Sequence, residues 1–138
     1  KDMLTKNGIA VDNDLLFDAS ITSERQFQMI VENWERMGKL PTAIIAMNDQ
    51  EAIKIISYLR GMGRRIPEDM SIIGFDNYPY LEHVSPPLTT VAQPIYDLGK
   101  NAAMILCKCL NNRANEIGGP NCVLEETLIV RRSVSGIT

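Results

Sequence analysis

A chain of 138 residues, 45% apolar and 22% charged, is one domain's worth of sequence and would bury roughly two-thirds of its unfolded surface, which excludes disordered, collagen-like and disulfide-scaffold classes. A formal charge of −3, with no basic stripe beyond Arg64-Arg65 and Arg131-Arg132, leaves no phosphate-backbone footprint, so this stretch is not expected to bind DNA by itself. No window approaches the ~20 apolar residues of a membrane helix, and Lys1 onward does not read as a signal peptide, so a soluble chain is expected.

In chain order, Lys1 to Asn7 reads as the last turns of a helix stopped by Gly8, and the chain is therefore expected to be a piece of a longer one. Leu15-Leu16-Phe17 is a short apolar run expected to be a strand, with Asp18-Ala19-Ser20 at its carboxyl end. Ser23 with Gln26 is a capping box, and Phe27, Ile30, Val31, Trp34 and Met37 repeat at helical spacing before Gly38. Thr42 to Met47 is an apolar run too short for a helix and is expected as a buried parallel strand, followed by Asn48 and by Asp49 as a helix cap. The helix Gln50–Met62 carries the stripe Ala52, Ile55, Ile56 and Leu59, and leaves Ile53 and Tyr58 off it.

Pro67 then forbids a continuing helix, and Met70 to Phe75 is an apolar strand that ends in Asp76-Asn77. The irregular loop Tyr78–Ser85 and Pro86-Pro87 lead into a second extended run, Leu88–Gln93, stopped by Pro94. A helix over Asp97–Leu110 with the stripe Leu98, Ala102, Ile105, Leu106 and Cys109, a turn at Gly118–Asn121 and a closing strand over Val123–Val134 complete the chain. Alternating strands and helices predict an α/β fold, a parallel sheet flanked by helices.

Ligands of open α/β sheets sit beyond the carboxyl ends of the strands, where Asn48, Asp76 and Asn77 fall. An Asp-Asn pair after a strand is also a common turn, yet a carboxylate accepts from two hydroxyls at once, as sugar recognition requires. The off-stripe Ile53 and Tyr58, beside the apolar and aromatic loop residues Tyr80, Leu81, His83 and Val84, form a candidate hidden patch for a second copy. Cys107, Cys109 and Cys122 lack metal-ligand spacing and His83 is the single histidine, so no metal is expected. No Gly-x-Ser-x-Gly, His–carboxylate pair or Gly-rich phosphate loop occurs, so neither catalysis nor a cofactor is expected.

The string Ile66-Pro67-Glu68-Asp69-Met70-Ser71-Ile72-Ile73-Gly74-Phe75-Asp76-Asn77, followed by Pro86-Pro87-Leu88-Thr89-Thr90-Val91 and Gln93-Pro94, resembles the effector domain of the LacI/GalR family of transcriptional regulators. Pro41-Thr42-Ala43-Ile44-Ile45-Ala46-Met47-Asn48-Asp49 and Leu128-Ile129-Val130-Arg131-Arg132-Ser133 sit at the family's spacing as well. The resemblance implies the C-terminal portion of a periplasmic-binding-protein-like type I lobe, with 88–93 crossing between lobes and the N-terminal lobe and helix-turn-helix headpiece outside the sequence. It implies effector contacts from Asn48, Asp76 and Gln93, and places Ala19 where many relatives carry an aromatic that stacks on the ligand. A cytoplasmic homodimer, a sugar-like effector and operator DNA bound through the headpiece follow. The alternative is a periplasmic sugar-binding component of a transport system, which shares the fold. The lobe it resembles has a strand ahead of Lys1 between Leu15–Phe17 and Thr42–Met47, so both are expected to show an unpaired edge, and Leu98, Ile105 and Leu106 are expected to face water.

Overall fold

The computed structural model describes residues 2–17, 23–111 and 122–136. Its elements run α1 (Asp2–Lys6), a 3-10 turn (Asn13–Leu15), α2 (Glu24–Arg36), β1 (Ala43–Ile45), α3 (Asp49–Gly61), β2 (Ser71–Phe75), β3 (Thr89–Ala92), α4 (Ile95–Asn111) and β4 (Thr127–Ile129). The four strands form one sheet in the order β1-β2-β3-β4. β1 and β2 pair in parallel, Ile44 opposite Ile72, and β2 and β3 likewise, Gly74 opposite Thr90. β4 runs antiparallel to β3, so the sheet is mixed rather than wholly parallel.

The helices form where their caps and stripes place them. Ser23 Oγ accepts from the Gln26 amide at 3.4 Å and starts α2, whose Phe27, Val31 and Trp34 are buried. α3 buries Ala52, Ile55, Ile56 and Leu59 against Ile44, Ile72, Met70 and Leu88. Each of the Ile, Leu and Met side chains contributes about 1.5–3 kcal/mol of burial, and Ala52 less. The Trp34 indole N–H also donates to the Asp14 carbonyl at 2.9 Å, which ties the chain's first segment to α2.

Beyond the direction of β4, the fold corrects four further expectations. Leu15–Phe17 is not a strand, because the Asp12 side chain accepts from the Asp14 amide at 3.0 Å and winds the backbone into a 3-10 turn. Phe17 instead places its ring 5.6 Å from that of Trp34 and 6.4 Å from that of Phe27. Thr42–Met47 shows the expected unpaired edge but is not buried on both faces: Ile44 and Ala46, on the core face, are 5% and 6% exposed, whereas Ile45 and Met47, on the other, are 79% and 65% exposed. The closing strand expected over Val123–Val134 shortens to Thr127–Ile129, and the turn expected at Gly118–Asn121 lies outside the described residues.

Leu81 is the fourth. It is wholly buried, because its amide bonds the Tyr78 carbonyl at 3.2 Å and its carbonyl accepts from the Leu88 amide at 3.1 Å, folding the loop back over the core. It therefore offers no surface to a second copy. On α4, by contrast, Leu98 and Leu106 are exposed as expected, and Ile105 is half-buried.

Candidate functional site

The carboxyl ends of β2 and β3 lie side by side because the register sets Phe75 against Val91. That alignment brings together two of the expected site residues: Gln93 Nε2 donates to Asp76 Oδ1 at 2.7 Å, and both residues are half-buried. No described residue bonds Asp76 Oδ2 or Gln93 Oε1. Two neighbouring strand ends thus each keep an acceptor with no partner among the described residues, and acceptors are what hydroxyl donors need.

Asn48, half-buried, follows β1 at the same edge of the sheet. It is the cap of α3, with Oδ1 accepting from the Glu51 amide at 2.9 Å, so Asn48 and not Asp49 does the capping. Its Nδ2 donates to nothing among the described residues. Capping thus occupies the acceptor of Asn48 and leaves its donor for another task. Ala19 lies outside the described residues.

Sequence reasoning missed the groups that hold this edge together. Asp49 is wholly buried and accepts from the Thr90 hydroxyl at 2.6 Å and the Tyr78 amide at 3.0 Å. Arg131 bonds the Leu88 carbonyl at 2.7 Å and Asn77 Oδ1 at 2.9 Å, while its own amide reaches Thr89 Oγ1 at 2.9 Å. Ser133 accepts from the Thr89 amide at 2.8 Å and donates to the Ile72 carbonyl at 2.6 Å. One signal in the sequence marks a close approach, though not its partner: a glycine within an otherwise apolar strand, at Gly74. A Cβ on Gly74 would collide with Asp49 Oδ1 and lie 3.3 Å from Asp49 Cα.

A cavity of about 300 Å³ opens at the free edge of β1, lined by Leu16, Phe17, Ile45 and Met47 among others. It is mostly apolar, with Glu51 as its one charged lining residue, and contains none of Asn48, Asp76 and Gln93. Of the expected dimer residues, Ile53 and Val84 share a groove of about 420 Å³ with Arg60 and Ser85. Tyr58 instead sets its ring 5.9 Å from Phe27 of α2. Tyr80 is 45% exposed and stacked on Tyr78 at 5.6 Å, and His83 is exposed. Among the described residues no group of three or more His, Cys, Asp or Glu could hold a metal ion, and no helix is long and apolar enough to cross a membrane.

Residues 3–134 match the family model of the periplasmic binding protein-like domain. The helix-turn-helix-type transcriptional repressor PurR of Vibrio cholerae is 49% identical over 80 residues, which are 58% of this chain and 24% of that protein. Catabolite control protein A of Staphylococcus epidermidis is 30% identical over 132 residues, 95% of this chain and 38% of that protein. A solved LacI family transcriptional regulator from Lactobacillus casei with bound sucrose superposes with a TM-score of 0.69 at 26% identity, covering 96% of this chain and 48% of that one. The chain thus spans less than half the length of each of these relatives.

Proposed function

Because this chain belongs to the LacI/GalR family, as part of an effector-binding domain of the periplasmic binding protein-like fold, we propose that the protein carrying it is a ligand-responsive transcriptional repressor. In this reading the chain supplies one wall of the effector pocket, and operator DNA is bound by a helix-turn-helix headpiece outside the sequence. The effector is a sugar or sugar derivative, the working unit is a homodimer in the cytoplasm, and no reaction is catalysed. The observation that carries the reading is the pairing of Asp76 with Gln93 at the carboxyl edge of the sheet, each with an oxygen left for a hydroxyl.

The mechanism is one of differential affinity. A sugar held by Asp76, Gln93 and the Asn48 amide on this side, and by a second lobe on the other, favours the lobe arrangement in which both sets of contacts are made. Residues 88–93 run from the pocket as the crossing strand, so a change of lobe angle is delivered along β3. Paired headpieces then gain or lose the spacing of their half-sites. The relatives named as a transcriptional repressor and a transcriptional regulator favour this reading over a transport component.

The test is titration calorimetry of the full-length protein with glucose, sucrose and cellobiose, followed by Asp76→Ala and Asn48→Ala on whichever sugar binds. A charged hydrogen bond contributes ~1.5–3 kcal/mol, so Asp76→Ala is expected to weaken binding by about 10- to 100-fold. Unchanged affinity in both variants would retire the pocket assignment.

A further inference from the structure

Asp49 is the polar residue that the pocket leaves without a task. It is the first residue of α3 and wholly buried, and the capping it was expected to perform is done by Asn48. A carboxylate taken out of water is costly unless its oxygens are hydrogen-bonded. Here both are: Oδ1 by the Thr90 hydroxyl on β3, Oδ2 by the Tyr78 amide. What those two partners flank is the Asp76-Asn77 turn.

That turn is strained. Asp76 has φ 112° and Asn77 has φ 59°, a left-handed region that residues with a Cβ adopt rarely, and two in succession persist only where the surroundings over-determine them. Five hydrogen bonds do so. The Asp76 amide donates to the Val91 carbonyl at 2.9 Å, and Asp76 Oδ1 accepts from Gln93. The Asn77 amide reaches Thr90 Oγ1 at 3.4 Å, Asn77 Oδ1 accepts from Arg131, and the Tyr78 amide reaches Asp49. Thr90 is the joint between them, since donating its proton to Asp49 leaves the oxygen lone pairs for Asn77. Asp49 therefore acts on the turn twice, directly at Tyr78 and through Thr90 at Asn77.

We propose that Asp49 is a positioning residue of the effector site, whose buried carboxylate locks the left-handed Asp76-Asn77 turn to the crossing strand and to the first turn of α3. The proposal rests on the reading of Asp76 as an effector residue. Gly74 is part of the same device, because only a residue without Cβ lets the carboxylate approach β2 this closely. Asp49→Asn keeps the shape of the side chain but removes its charge and one acceptor, so the Thr90 proton is either stranded or must turn away while the hydroxyl accepts from the new amide, and the lock is weakened.

The experiment is residue-resolved amide hydrogen exchange on the full-length protein with Asp49→Asn, Thr90→Val and Thr90→Ser. Thr90→Ser keeps the hydroxyl and serves as the rescue. Exchange at Asn77 and Tyr78 is expected to rise at least tenfold in the first two variants, with Ile72 in β2 within twofold of wild type, and to stay near wild type in Thr90→Ser. Sugar affinity is expected to fall at least tenfold in Asp49→Asn under conditions where circular dichroism shows the protein fully folded. An equal rise at Ile72 and Tyr78 would make Asp49 a contributor to global stability only and overturn the proposal. So would unchanged exchange at Tyr78, or unchanged sugar affinity once the turn is loosened. If Asp76→Ala leaves sugar binding intact while Asp49→Asn still frees Tyr78, the pocket reading fails and the result still supports Asp49 as the group that orders the turn.

Discussion

Replacing Gly74 with alanine adds one methyl group, and the structure says where it goes. Gly74 sits in β2 with ordinary strand dihedrals, so alanine meets no backbone penalty and would gain ~0.4–1 kcal/mol by restricting the unfolded chain. Against that gain, the new Cβ collides with Asp49 Oδ1 and lies 3.0 Å from Leu88 Cδ2 and 3.3 Å from Asp49 Cα. The carboxylate cannot swing aside without abandoning Thr90 and Tyr78, and the α3 backbone behind it cannot retreat without opening the core at Ala52 and Ile56. Overpacking of this kind costs ~1–3 kcal/mol, so the clash outweighs the backbone gain and Gly74→Ala is expected to destabilise by about 2 kcal/mol. Urea unfolding followed by circular dichroism measures it, as a lower midpoint at unchanged slope. In an Asp49→Ala background the same change is expected to cost much less, which is the coupling that a shared contact produces. A neutral or stabilising Gly74→Ala, or equal costs in the two backgrounds, would refute the close approach of α3 to β2.

Other outcomes follow from single contacts. Asn48→Ala is expected to cost about 1 kcal/mol of stability as well as effector affinity, whereas Asn48→Asp keeps the cap, loses the donor and adds a charge; comparing thermal melts with titrations separates the two roles. Ser133→Ala strands the buried Thr89 amide and is expected to cost ~1–3 kcal/mol by denaturant unfolding. Replacing Tyr80 and Val84 together by aspartate is expected to halve the mass of the full-length protein in light scattering, and a dimer that survives would place the subunit contact elsewhere. The Arg65 guanidinium, hydrogen-bonded to Asp69, and the Arg65 amide hold that carboxyl at about 2, below its ordinary 3.8. Because the folded value is depressed, the stabilisation it brings is complete above 3.8 and is lost as pH falls through about 2. Carbon-detected NMR titration should find that midpoint, and Arg65→Met should return it toward 3.8.

Much of this was legible in the chain because it depends on local chemistry. Ser23 caps α2 and Phe27, Val31 and Trp34 fall on one face whatever lies opposite, since a hydroxyl in reach of an orphan amide and a period near 3.6 are properties of the segment itself. The strand Ser71–Phe75 was bounded by Pro67 on one side and by polar residues on the other. The family was legible for a similar reason, as motifs in a fixed order. Where the reading failed, a local alternative or a distant partner decided. Leu15–Phe17 has the composition of a strand, but the Asp12 side chain two residues from the Asp14 amide captures the backbone first. Ile45 and Met47 are as apolar as Ile44, and they stay exposed because they lie on the face of β1 opposite to the one that packs on the core. Leu81 looks like surface because its neighbours are polar and aromatic, yet the bond from the Leu88 amide turns it inward. For Asp49, composition allowed two capping residues in a row and could not say which would cap, because the choice is made 41 residues away by the hydroxyl of Thr90. Period, cap and motif are written within one turn or one strand and so are fixed by the chain alone. Which carboxylate is buried, which face of a strand is covered and which loop residue turns inward depend on where the other elements land, and that is decided only when the sheet has closed its register.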